Sequence, residues 1–73
     1  MTLSDLRIKQ SCRIVGYTIT NKRLLAMGLT RGVEVRIIRV APLGDPIELK
    51  VRSYSLTIRK KEAETILVEL LGD

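Results

Sequence analysis

The stretch Ile47-Glu48-Leu49-Lys50-Val51-Arg52-Ser53-Tyr54-Ser55-Leu56-Thr57-Ile58 decides the fold class. Its first half puts apolar side chains at odd positions and charges at even ones, the period-two mark of a strand with one buried and one wet face. In the second half Tyr54, Leu56 and Ile58 hold the even positions. The switch of parity requires a tight turn at Arg52-Ser53, and two strands joined by a two-residue loop form a hairpin. Ile47, Leu49, Val51, Tyr54, Leu56 and Ile58 are expected to face one shared core.

Upstream of the hairpin, Val33, Val35 and Ile37 alternate with Glu34 and Arg36, after which Ile38 and Val40 take over the apolar parity. A strand that changes face midway predicts a β-bulge, as where strands bend around a small barrel. Pro42-Leu43-Gly44-Asp45-Pro46 ends that strand, because proline cannot donate to a ladder and Gly44-Asp45 suits a turn. Downstream, Lys60 to Glu64 has helix formers with room for one or two turns. Ile66, Val68 and Leu70 then alternate with Leu67 and Glu69 in a closing strand.

The N-terminal third is less regular. Cys12 to Ile19 reads as a strand whose inward parity the pattern leaves open. Thr20 or Asn21 can cap a short helix running through Met27, with Leu24, Leu25 and Met27 on its apolar side. Gly28 occupies the place of a left-handed residue that ends a helix, and Leu29 can then reach back to Leu24. Thr30-Arg31-Gly32 turns the chain into the next strand. Five short strands and one inserted helix predict an all-β small barrel, a closure that suits a chain with little core. SH3-like and OB barrels both fit, and the short link before the last strand favours the SH3-like one.

With 73 residues the chain has the length of a single domain, expected over 1–73. Its apolar share of 45% argues for a folded core, and with Tyr17 and Tyr54 as the sole aromatics that core must be aliphatic. The one cysteine, Cys12, cannot staple the fold, which points to a reducing compartment. An acid at Asp5 and no apolar run near the N-terminus predict no secretory signal. The longest apolar runs fall far below a membrane helix, so no membrane insertion is expected and the location is expected to be cytoplasmic. Residues 1–44 carry eight bases and two acids, a net of +6, whereas residues 45–73 carry five bases and six acids, a net of −1. A basic half fits an acidic partner, nucleic acid or an anionic membrane surface; a solvated basic surface is the bland alternative.

Catalytic chemistry is hard to place. Histidine is absent, which excludes Ser-His and Cys-His nucleophile pairs. Cys12 reads as a small buried hydrophobe, and Glu62 and Glu64, two apart, do not face each other on a helix and read as a solvated face. No cluster has the spacing of metal ligands, and Gly28-Leu29-Thr30-Arg31-Gly32 lacks the phosphate-cradling pattern. The sequence therefore predicts no enzyme, no cofactor and no small-molecule substrate. Nucleic-acid binding is the rival, with Arg13, Arg36 and Arg39 tracking phosphates, but only Tyr17 is left free to stack on a base, which disfavours it.

Three strings carry a family resemblance: Leu24-Leu25-Ala26-Met27-Gly28-Leu29-Thr30-Arg31-Gly32, Val40-Ala41-Pro42-Leu43-Gly44-Asp45-Pro46-Ile47 and Leu56-Thr57-Ile58-Arg59-Lys60-Lys61-Glu62-Ala63. Together they resemble the ferrous iron transport protein A family from about Arg13 to Leu70. The chain has Arg31-Gly32 where the family often has Pro-Gly, and Ser53 where it often has glycine; both are turn positions. The resemblance implies an SH3-like barrel with an inserted helix. It also implies a cytosolic helper acting by protein-protein contact on the cytosolic domains of a membrane ferrous iron transporter of the FeoB type. The same module occurs at the C-terminus of iron-dependent repressors, so a free-standing nucleic-acid-binding or repressor-associated interaction barrel is the alternative. Gly28, Gly32, Pro42, Gly44, Asp45 and Pro46 are structural turn positions. For the partner surface the inserted helix is the candidate: it holds more apolar residues than one short buried face absorbs, and Lys22, Arg23, Leu25 and Met27 are expected to meet the partner.

Overall fold

In the computed structural model, which describes residues 1–72, the hairpin forms with the expected register. Strand β3 (Ile47–Val51) pairs antiparallel with β4 (Tyr54–Ile58), and Val51 opposite Tyr54 leaves Arg52-Ser53 as the two-residue loop. Arg52 takes the left-handed conformation (φ 55) that lets the strands turn back. Ile47, Leu49, Val51 and Ile58 are buried and Leu56 packs against the core from its edge. Tyr54 departs from the expectation: it is 43% exposed. It has the inward parity, but β4 is the last strand of the order β4-β3-β2-β1-β5, so its end lies at the rim of the core. A phenol there keeps its hydroxyl paired by lying over a neighbouring element.

Strand β2 (Glu34–Val40) pairs with β3 and carries the predicted bulge: the register slips between Ile37, opposite Leu49, and Arg39, opposite Glu48. Ile38 is the extra residue. It does not join the inward parity but turns out to solvent, while Val40 regains the core edge. The turn Ala41-Pro42-Leu43-Gly44 closes through a hydrogen bond from Gly44 N–H to the Ala41 carbonyl, 2.7 Å. Leu43 at its tip is 95% exposed.

Strand β1 (Ser11–Tyr17) stops short of the predicted Ile19, which stands in solvent. Cys12, Ile14 and Gly16 are buried; Cys12 and Ile14 face the core, and past Val15 it is Tyr17, opposite buried Ile66, that packs against it. β1 pairs with β2 on one side and with β5 (Ile66–Leu70) on the other, with a second register shift between Ile14 and Gly16. Ile66 and Val68 are buried, and Leu70, inward by pattern, is half exposed at the strand's end. Two short helices complete the chain: α1 (Lys22–Ala26) between β1 and β2, and α2 (Lys60–Ala63) before β5. The five antiparallel strands wrap an aliphatic core, giving the all-β, barrel-like architecture the pattern predicts.

The N-terminal segment adds what the pattern did not reveal. A 3-10 turn, Leu3–Asp5, is held by the Asp5 carboxylate accepting from Thr2 N–H at 2.9 Å. It drives Leu3 and Leu6 into the core. Thr2 bridges Leu67, and Val68 N–H donates to the Met1 carbonyl at 3.0 Å, so this segment covers the outer edge of β5.

Candidate functional site

Helix α1 starts where a cap was expected. Of the two candidates, Asn21 is used: its Oδ1 accepts from Leu24 N–H at 3.1 Å. The helix ends at Ala26 with Met27 as its cap residue, and Gly28 adopts φ +98. Gly28 N–H donates to the Leu25 carbonyl and Leu29 N–H to the Leu24 carbonyl, both at 3.1 Å, the paired bonds of a Schellman closure. Leu24 and Leu29 are fully buried beneath it.

Five residues cannot form a stable helix in isolation, so α1 must be held from outside. The structure shows how. At its N-terminus Glu62 of α2 accepts from Asn21 Nδ2 at 3.3 Å and from the Arg23 guanidinium, while its other oxygen accepts from Arg59 N–H at 3.0 Å. At its C-terminus the Tyr54 hydroxyl donates to the Met27 carbonyl at 2.5 Å, and the Tyr17 hydroxyl to the Leu29 carbonyl at 2.6 Å. Tyr54 thus satisfies the cap carbonyl that the end of the helix leaves without a partner, and Tyr17 ties down the Leu29 carbonyl of the closing turn just beyond it.

Glu62 corrects the reading of a solvated face: its side chain is only 18% exposed. Burial opposes its ionisation, yet the hydrogen bonds from Arg23, from Arg59 N–H and from Asn21 outweigh that and hold the carboxyl below its ordinary range. Only Glu64 stands in solvent. Asp45 is likewise more than a turn residue. Its Oδ1 accepts from Lys60 N–H at 3.0 Å, placing a second acid at the N-terminus of α2, where the helix dipole favours one. Gly28, Gly32 and Gly44 all have positive φ, as their turn roles require.

The four residues expected to meet a partner are thereby divided. Lys22 and Leu25, three apart, share one exposed surface of α1, Lys22 in solvent and Leu25 half buried. Arg23 and Met27 are engaged: Arg23 spans from Glu62 to the Met27 sulfur, with Nη1 to Sδ at 3.4 Å, and Met27 packs against the core. Beside this pair lies an open groove of about 480 Å³ lined by Arg23, Pro46, Thr57, Ile58, Arg59 and Glu62. Sequence reasoning missed the groove because Glu62 lies 39 positions from Arg23 and no local pattern links them.

The residues of the rival readings are also occupied. Arg13 bridges Glu34 and Glu69, each at 3.1 Å, and Arg39 pairs with Glu48 at 3.7 Å, so two of the three arginines proposed to track phosphates are matched by acids. Tyr17, expected to be free for stacking, is tied to Leu29. Cys12 is buried, and burial pushes its thiol up to about 11, the wrong direction for a nucleophile. Among the described residues no group of acids and cysteine has metal-binding geometry, and no helix is long and apolar enough to cross a membrane.

Residues 1–70 match the family model described as the FeoA domain. The chain is 32% identical over 75 residues to a curated Fe(2+) transport protein A/Fe(2+) transporter FeoB fusion protein of Porphyromonas gingivalis. That alignment takes in 99% of this chain and 9% of the fusion protein, so the chain spans less than a tenth of that relative's length. The solution structure of a FeoA-like protein from Clostridium acetobutylicum superposes with a TM-score of 0.90 at 41% identity, covering 100% of this chain and 88% of that one. The crystal structure of Stenotrophomonas maltophilia FeoA, an SH3 domain protein complexed with zinc, superposes with a TM-score of 0.81 at 28% identity, covering 94% and 89%. The barrel is therefore SH3-like, with α1 as its inserted helix. A family match running from residue 1 to residue 70 of 73 decides the assignment: this chain belongs to the FeoA family of ferrous iron transport.

Proposed function

We propose that the chain is a cytoplasmic, non-enzymatic accessory protein of ferrous iron uptake that docks through α1 on the cytosolic part of a FeoB-type membrane transporter. The observation that carries this reading is the Porphyromonas gingivalis relative, in which a segment like this chain is joined to the transporter FeoB in one polypeptide. Covalent linkage holds two modules at high effective concentration, which has use when they act together. Helix α1 is the surface put forward because it is dispensable for pairing the sheet, yet is held rigid at both ends by Glu62, Tyr54 and Tyr17. A preorganised helix loses little entropy on binding, and Lys22 beside half-buried Leu25 offers a base next to an apolar contact.

The test is a titration of the transporter's soluble cytosolic domain with this protein and with its Lys22→Gln/Leu25→Ser variant, melting each beforehand. Arg23 is left intact because its loss would also release Glu62. Binding by the native chain and at least about tenfold weaker binding by a variant with a near-native melt support docking on α1. Equal binding by both proteins rejects it.

A further inference from the structure

The outer face of the sheet carries a second feature, separate from α1. Its exposed side chains stand in cross-strand rows. In one row Arg13 faces Glu34 and Glu69; in another Arg39 faces Glu48, which faces Thr57. Every base in these rows has an acid opposite. Between them runs Ser11, Arg36, Lys50, Ser55 across β1, β2, β3 and β4, where Arg36 is directly opposite Lys50. Like charges directly opposite each other oppose folding, whereas the flanking pairs favour it. Neither base pairs with an acid among the described residues.

The row is also shaped. Arg36 Nε donates to the Lys9 carbonyl at 3.2 Å, which fixes the guanidinium and leaves its terminal nitrogens for a ligand. A depression of about 410 Å³ lies over Ser11, Glu34, Arg36, Lys50 and Arg52, with the Glu34 carboxylate turned to Arg13. It adjoins a second of about 360 Å³ over Ile8, Lys9, Arg36, Ile37, Ile38 and Lys50. Ile8 is 50% and Ile38 37% exposed. The bulge that turns Ile38 outward thus places an apolar wall next to two bases.

We propose that this face binds an acidic segment of a protein partner, its carboxylates held between Arg36 and Lys50 and an aliphatic side chain seated beside Ile8 and Ile38. Carboxylates complement the two bases, and serine hydroxyls at both ends of the row supply further donors. Concave, partly apolar depressions fit side chains better than the flat headgroup plane of a bilayer. Single-stranded nucleic acid needs a stacking ring, and both tyrosines lie on the other side of the sheet, bonded to the α1 segment.

The probe is a short glutamate-rich peptide with one central leucine, titrated into the labelled protein and followed by amide chemical shifts. Inorganic phosphate, a single-stranded oligonucleotide and phosphatidylglycerol vesicles form the other arms. The peptide is expected to shift Ser11, Arg36, Lys50 and Ser55, and its glutamine counterpart to leave them unmoved. Arg36→Gln/Lys50→Gln is expected to weaken peptide binding about tenfold or more, with a melt no lower than native. Lys50→Gln alone is expected to show a smaller loss, and Lys22→Gln none. Peptide binding unchanged by the paired substitution overturns the proposal. So does binding of the oligonucleotide, the vesicles or phosphate at this face while the peptide leaves it unshifted.

Discussion

Replacing Gly28 by alanine probes how the helix, its closing turn and the rim tyrosine depend on one another. Gly28 has φ +98, a conformation that disfavours any residue with a Cβ by about 1–2 kcal/mol. A Cβ built on this backbone overlaps the Tyr54 hydroxyl and lies 3.4 Å from its Cζ. The phenol must swing away and give up its bond to the Met27 carbonyl, which costs about 1 kcal/mol more. Gly28→Ala should therefore destabilise by about 2–3 kcal/mol, a large share of the roughly 4–11 kcal/mol expected for a domain of this size. The melting temperature should fall by about 10–20 °C. Tyr54→Phe removes both the bond and the overlapping atom. In that background Gly28→Ala should cost only the dihedral part, about 1–2 kcal/mol. Urea melts of the four proteins give the coupling directly, expected to be about 1 kcal/mol. Equal costs of Gly28→Ala in both backgrounds would refute the reasoning, because they would place Tyr54 away from the helix end.

Further outcomes follow from the same contacts. Because Glu62 has a lowered pKa in the fold, its contribution is present above the ordinary carboxylate range and is lost on acidification; Glu62→Gln should flatten the fall in stability below about pH 5 seen in melts of the native chain. Leu49→Ala should cost about 2–5 kcal/mol in urea melts, because Leu49 is fully buried at the centre of the hairpin. Arg52→Gly should stabilise by up to about 1 kcal/mol, read as a higher urea midpoint, by relieving the left-handed φ of 55. Cys12, fully buried with a thiol pushed up to about 11, should react with a thiol reagent at neutral pH only as fast as the chain opens, and at once in denaturant.

What was legible in the sequence was what local periodicity encodes. The parity switch at Arg52-Ser53, the slip between Ile37 and Arg39 and the left-handed Gly28 all appear where the pattern puts them. Burial at the sheet's rim was not legible. Tyr54 has an inward parity and yet an exposed ring, because parity tells the face of a strand and not its distance from the sheet's edge. The tight turn was legible at Arg52-Ser53, but not which of the two residues takes the positive φ; it is Arg52. Glu62 and Asp45 looked like surface and turn residues because their partners, Asn21, Arg23 and Lys60, are brought to them only by the closed fold. The N-terminal turn escaped notice because three residues give no periodicity, although Leu3 and Leu6 are buried. The surplus of apolar residues singled out α1 as the proposed docking helix, but the engagement of Arg23 and Met27 was not legible because it depends on long-range contacts.

The most direct test of the central claim is amide hydrogen exchange of this protein alone and with a saturating amount of the cytosolic domain of a FeoB-type transporter. Docking through α1 predicts added protection over Lys22–Met27, with the Lys22→Gln/Leu25→Ser variant losing that protection under the same conditions. Exchange over Lys22–Met27 that is unchanged by saturating transporter domain would contradict the account.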